Sequence, residues 1–187
     1  MYSASDLRKG LKIEIDGVPY AITEFTFTKP GKGQAIYTCK LKSLTTGTTM
    51  TRQYRSVEKI DQPKLASQTL IYSYQDGESY IFMDENYEQT AISAETLGEG
   101  RYFLVEDMSV EILLHNDKPI EVSLPTFVEK EIVQTEPGAR GNTATNVMKP
   151  AQIDTGYELQ VPIFINEGDI IKIDTRTGKY ADRVAKK

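Results

Sequence analysis

The sequence predicts an all-β chain made of three consecutive small β-barrels, and three observations predict it. Apolar residues recur at every second position in short runs, turn signals such as Asp16-Gly17 and Asp76-Gly77 interrupt those runs, and hardly any stretch has helical spacing. The 187 residues exceed one small domain. A polar, proline-bearing stretch, Asp61-Gln62-Pro63-Lys64, marks a first boundary, and the chain re-enters strand pattern after Phe127. Domains over 1–63, 64–127 and 128–187 follow, with no repeat relating them. Each would have a radius of gyration of ~10 Å, so the whole is expected to be elongated.

In the first segment Asp6-Leu7-Arg8-Lys9-Gly10 reads as one helical turn stopped by Gly10. Leu11, Ile13 and Ile15 then alternate with Lys12 and Glu14, the pattern of a half-buried strand. Asp16-Gly17 is a two-residue hairpin signal, and Val18, Tyr20 and Ile22 resume the alternation. Phe25 and Phe27 lead into Lys29-Pro30-Gly31-Lys32-Gly33-Gln34, and Ala35, Tyr37, Cys39 and Leu41 lead out with period two, so this stretch joins two antiparallel strands. Pro30 fixes its own φ, and Gly31 and Gly33 tolerate angles closed to other residues, which allows a narrow turn with Lys32 at its tip. If about four residues of each strand overhang the barrel, the tip stands ~13 Å proud of it. Such a turn standing alone is an ordinary solvated hairpin, so any larger role has to come from the rest of the chain. The turn Thr45-Thr46-Gly47-Thr48 and a strand over 50–55 complete the segment.

The middle segment reads as strands over 69–74 and 79–83, with Leu70, Tyr72, Tyr74, Tyr80 and Phe82 on the likely inner faces. Ser93-Ala94-Glu95-Thr96-Leu97 looks like a helix start that ends at Gly98 or Gly100. A further hairpin spans 110–124 around Asn116-Asp117-Lys118-Pro119. The last segment carries strands over 128–133, 151–153, 158–165 and 169–174, with a loop over 136–143.

Composition narrows the function. No apolar run approaches the ~18 residues needed to cross a bilayer. The amino terminus has no secretory pattern. A single cysteine forbids an internal disulfide, which fits a reducing cytosol. Cys39 itself reads as a small buried apolar side chain. The net charge of −5 hides a division. Residues 1–63 carry ten Lys/Arg against six Asp/Glu, residues 64–127 three against twelve, and residues 128–187 nine against nine. The first segment suits a phosphate-coated partner, and the acidic middle would turn away from one. Gly31-Lys32-Gly33-Gln34-Ala35-Ile36 has Ile36 where a dinucleotide fingerprint needs its third glycine, and it precedes a strand. No phosphate-binding P-loop or Gly-x-Ser-x-Gly elbow occurs. The one histidine, His115, reads as solvated beside a turn, and the chain lacks the Cys/His set of a zinc site. Asp84-Glu85 and Glu106-Asp107 read as acidic surface, with a β-barrel hydrolase using paired carboxylates as the lesser alternative, since their separation in space is invisible in sequence. Neither an enzyme nor a metal or cofactor protein is expected.

Three groups of residues go further: Lys29-Pro30-Gly31-Lys32-Gly33-Gln34-Ala35; Phe82-Met83-Asp84 with Tyr87-Glu88-Gln89; and Thr155-Gly156, Val161-Pro162-Ile163-Phe164-Ile165, Gly168-Asp169 and the run from Ile171 through Asp174-Thr175-Arg176-Thr177-Gly178-Lys179-Tyr180. In this order they resemble the bacterial elongation factor P family over essentially the whole chain. The resemblance implies an SH3-like amino-terminal domain and two OB-type barrels in an L shape. It also implies a cytoplasmic monomer that binds the 70S ribosome between the peptidyl and exit tRNA sites and relieves stalling at consecutive prolines. By the same resemblance Lys32 reaches the acceptor end of the peptidyl-tRNA and is a target for a β-lysyl-type modification by a separate enzyme. Gly141, Asn142 and Thr143 align with a loop associated with the exit-site codon of the mRNA, and Tyr180 and Arg183 match tRNA-touching positions. Asn142 stands where the family usually has aspartate, keeping a short hydrogen-bonding side chain and losing a charge. The rival expectation is a free-standing RNA-binding module whose basic first barrel acts without the ribosome.

Overall fold

The computed structural model describes residues 1–138 and 147–185. In chain order its strands are β1 (Tyr2–Ser3), β2 (Lys12–Ile15), β3 (Val18–Thr28), β4 (Ile36–Ser43), β5 (Thr49–Arg55), β6 (Lys59–Ile60), β7 (Leu65–Asp76), β8 (Ser79–Met83), β9 (Gln89–Ser93), β10 (Ser109–His115), β11 (Lys118–Ser123), β12 (Phe127–Thr135), β13 (Met148–Ile153), β14 (Glu158–Pro162), β15 (Ile170–Asp174) and β16 (Lys179–Ala185). One short helix, α1 (Ala94–Leu97), follows β9. The chain is all-β, as expected, and it forms two compact units: Met1–Gln68 with Leu113–Glu121, and Thr69–Ile112 with Val122–Lys187. None of the described helices is long and apolar enough to cross a membrane.

In the first unit the sheet runs β2-β3-β4-β5, and β1 pairs with β6. Asp16 (φ 51°) and Gly17 (φ 78°) are both left-handed, which matches the twist of a two-residue hairpin. A register shift between Ile22 and Glu24 leaves Thr23 as an extra residue. The inward parity therefore passes from Tyr20 and Ile22 to Phe25, while Phe27, on the same face but beyond the core, is 51% exposed. Ile13, Ile22, Cys39, Leu41, Tyr54 and Ile60 are buried together as the core. The expected helical turn at residues 6–10 is displaced. A 3-10 turn occupies Ala4–Asp6, where Asp6 accepts from the Ser3 backbone N–H at 2.9 Å, and Leu7 is already extended. The short polar pair Ser3/Asp6 caps a turn there more readily than Gly10 ends one later.

In the second unit β7 meets β8 antiparallel, but the register shift between Tyr72 and Tyr74 makes Ser73 a bulge residue. Leu70 is buried and Tyr74 is 46% exposed, so Tyr74 leaves the inner face expected for it. The loop joining these strands is Gly77-Glu78, one residue later than the expected Asp76-Gly77 turn. α1 forms where expected, its first turn capped by Ser93 Oγ accepting from Thr96 N at 3.2 Å.

The last sheet is ordered β14-β13-β12-β15-β16. Its first five β12 residues pair with β15, and the rest pair with β13 across a register shift between Ile132 and Gln134, which bends the strand so that it serves both halves. Val128, Ile132, Ile153, Val161, Ile171 and Ile173 form its core together with Phe103, which arrives from the 3-10 turn Gly98–Phe103. Lys130, only 7% exposed, fastens this junction by donating to the Leu104 carbonyl at 3.0 Å and to Asp154 Oδ1 at 3.3 Å. Thr155 Oγ1 donates to the Tyr102 carbonyl at 3.0 Å, and Tyr157 packs edge-on against Phe103.

Candidate RNA-contact sites

β3 and β4 pair as far as Thr28 and Ile36, so residues 29–35 stand outside the ladder. The connection is a seven-residue loop, wider than the tight turn expected from Pro30 and the two glycines. β5 follows β4 to the same end, setting Tyr54 opposite Tyr37 and Arg55 opposite Ile36. Three strands therefore reach the base of the loop. Phe27 lies 5.0 Å from Tyr37 between ring centroids, and Phe25 lies 6.2 Å from it, stiffening that base.

Residues 29–34 are all exposed. Lys32 has no hydrogen-bond or ion-pair partner among the described residues, whereas Lys40 nearby in sequence is held by Glu24 at 2.9 Å. The two flanking glycines play different parts. Gly33 has φ 128°, a region closed to most side chains, and its Cβ would meet Pro30 Cγ at 3.8 Å. Gly31 lies outside that region, and a Cβ there would touch nothing within 4 Å. The fold therefore demands glycine at 33 but leaves the bareness of 31 unexplained by any contact of the chain. Chemically, an amine with no carboxylate or imidazole beside it is equipped to pair with an anion and to donate hydrogen bonds.

Tyr180 and Arg183 lie on β16, a strand that the sequence pattern did not reveal. Tyr180 opposes Ile173 and Arg183 opposes Ile171, and both isoleucines are fully buried. Residues three apart in a regular strand point to opposite faces. Here Ala181 is the extra residue of a bulge, and it brings Tyr180 and Arg183 onto one face. Burial pushes the Tyr180 hydroxyl pKa up, with Asp182 adding to the shift and Arg183 opposing it. Tyr180 lines a groove of about 500 Å³ with Met148, Tyr157, Leu159 and Lys179. The Arg183 guanidinium lies 4.8 Å from the centroid of the Phe164 ring. Neither residue is a loose tail side chain.

Gly141, Asn142 and Thr143 lie outside the described residues. His115 departs from expectation: it is 8% exposed and its Nε2 lies 3.6 Å from Glu14 Oε1, in the first unit. Its place at the end of β10 sets it against a neighbouring strand, a long-range contact that local pattern does not carry. Among the described residues no group of three His, Cys, Asp or Glu is placed to hold a metal ion.

These parts define a class: a modular all-β binding protein whose exposed cations suit an anionic partner. The comparisons with known proteins make it particular. Residues 3–60 match the family described as elongation factor P (EF-P) KOW-like domain, 65–122 its OB domain, and 128–183 its C-terminal domain. Elongation factor P of Desulfotalea psychrophila is 48% identical over 98% of this chain and 99% of its own length, and that of Syntrophus aciditrophicus is 47% identical over the same shares. The relative from Desulfosudis oleivorans is 46% identical over the full length of both chains. Among solved structures, eukaryotic translation initiation factor 5A from Methanococcus jannaschii superposes with a TM-score of 0.52 at 22% identity, over 65% of this chain and 94% of its own, a likeness of fold. The chain belongs to the elongation factor P family of translation factors.

Proposed function

We propose that this protein binds the 70S ribosome in the cytoplasm, between the peptidyl and exit tRNA sites, and stimulates peptide-bond formation where consecutive prolines stall it. The observation that carries the reading is the exposed, unpartnered Lys32 on the loop over residues 29–35. Proline's ring restricts its geometry as donor and acceptor, so a stalled centre suffers from misplaced reactants. Orientation can recover as much as ~7–11 kcal/mol of a barrier, and a small part of that relieves a stall. Lys32, with or without a β-lysyl-type extension added by a separate enzyme, pairs with RNA phosphate at the acceptor end of the prolyl peptidyl-tRNA and steadies it. It transfers no proton, and the protein is a positioning factor, not an enzyme. The bare Gly31 keeps the loop slender on the side the chain itself leaves empty.

Tyr180 and Arg183 contact the tRNA, while Gly141, Asn142 and Thr143 approach the exit-site codon, with Asn142 offering a hydrogen bond where an aspartate would offer a charge. The test is reconstituted translation of two reporters that differ only in three consecutive prolines. Adding the protein should raise the yield of the proline reporter selectively. Equal effects on both reporters, or binding to short free RNA that rivals binding to ribosomes, would favour the free-standing RNA-binding reading.

A further inference from the structure

We infer that Phe164 is a positioning residue for Arg183, its ring presenting the guanidinium to a tRNA phosphate; the inference rests on the tRNA contact proposed for Arg183. Phe164 is 52% exposed, an expensive place for a phenylalanine that the core does not use. Its mount is firm. The adjacent Ile165 is fully buried, its N–H donates to the Pro162 carbonyl at 3.1 Å, and β14 ends just before at Pro162. The ring thus projects from a backbone held on both sides and sits 4.8 Å beneath the guanidinium carbon.

The neighbouring carboxylate does not compete for that guanidinium. Asp182 Oδ1 instead accepts from the Arg183 backbone N–H at 2.8 Å, and among the described residues no acid pairs with the Arg183 side chain. A guanidinium held over a ring face keeps N–H donors on the side away from the ring, free to form the forked pair that a phosphate accepts. Without the ring the side chain would have to give up rotamer freedom at each encounter. The bulge at Ala181 puts Arg183 on the face where the ring can reach it.

The test uses full-length protein on ribosomes stalled at consecutive prolines, reading the rate of peptide-bond formation against factor concentration. Phe164→Leu should raise the half-saturating concentration about two- to fivefold, the fold-change that an exposed cation–π contact is worth, at an unchanged maximal rate. Phe164→Tyr should restore it. In an Arg183→Ala background Phe164→Leu should have no further effect, an outcome that a general structural role would not produce. If Arg183→Ala weakens binding but Phe164→Leu does not, or if the two effects add, the inference fails while the tRNA reading stands. If Arg183→Ala changes nothing, the tRNA reading of Arg183 fails and the inference falls with it.

Discussion

Phe103→Ala separates the sequence order of the domains from the order in which they are packed. Phe103 comes from the middle segment, yet it is 1% exposed inside the core of the last sheet, and it meets Tyr157 edge-on at 4.9 Å with rings 78° apart. Truncating a buried phenylalanine costs ~3–5 kcal/mol, and the lost aromatic pair, ~0.5–1.5 kcal/mol, is part of that sum. A loss of about 4 kcal/mol at an m-value of ~2 kcal/mol/M lowers the urea midpoint of that unit by about 2 M. The chain has no tryptophan, so tyrosine emission is the convenient probe. Phe103→Leu, which keeps most of the volume, should cost less than about 1.5 kcal/mol. If Phe103→Ala shifts the transition by no more than the leucine variant, the residue is not the core element described and the junction is loosely packed.

Three further outcomes follow from the geometry. Gly31→Ala should leave the melting temperature unchanged, since its Cβ meets open space, yet should weaken stall relief; Gly33→Ala, at φ 128°, should cost about 1 kcal/mol or more in urea unfolding. Burial pushes the Cys39 thiol pKa up, so at pH 8 a disulfide reagent should label the native chain slowly and the urea-unfolded chain at once. Arg176, through its side chain and its backbone N–H, holds the Asp174 carboxyl below the usual aspartate range, so this contact stabilises above that range and is lost as pH falls through the lowered value. Arg176→Ala should therefore lower the melting temperature at pH 7, and the difference should shrink as pH falls through the lowered Asp174 value, as paired melting scans would show.

Much of the fold could be read from the sequence because its signals are local. The two-residue turn Asp16-Gly17 and the Ser93 cap need only neighbouring residues, and both elements formed where the pattern put them. What escaped depends on register or on distance. The bulges at Ser73 and Ala181 each slip one residue, which turns Tyr74 outward and sets Arg183 beside Tyr180's face, and alternation alone cannot mark where a strand slips. β16 was hidden because Asp182, Arg183 and Val184 break the period of two that a bulged edge strand no longer keeps. Phe103, Lys130 and His115 owe their burial to partners far along the chain, so no window of sequence around them contains the reason. The loop at Lys32 was legible from its composition, while its width and the third strand at its base were set by pairing beyond that stretch.

The central claim, that one amine held out on a slender loop speeds a slow reaction by steadying its reactants, is tested most directly at Lys32. The measurement is the maximal rate of bond formation between consecutive prolines at saturating factor, comparing Lys32→Ala with the unsubstituted protein, each on ribosomes it is shown to occupy. The account predicts an unchanged melting temperature, near-normal occupancy and a maximal rate that falls to that of ribosomes without the factor. A Lys32→Ala protein that still accelerates the reaction fully would contradict it.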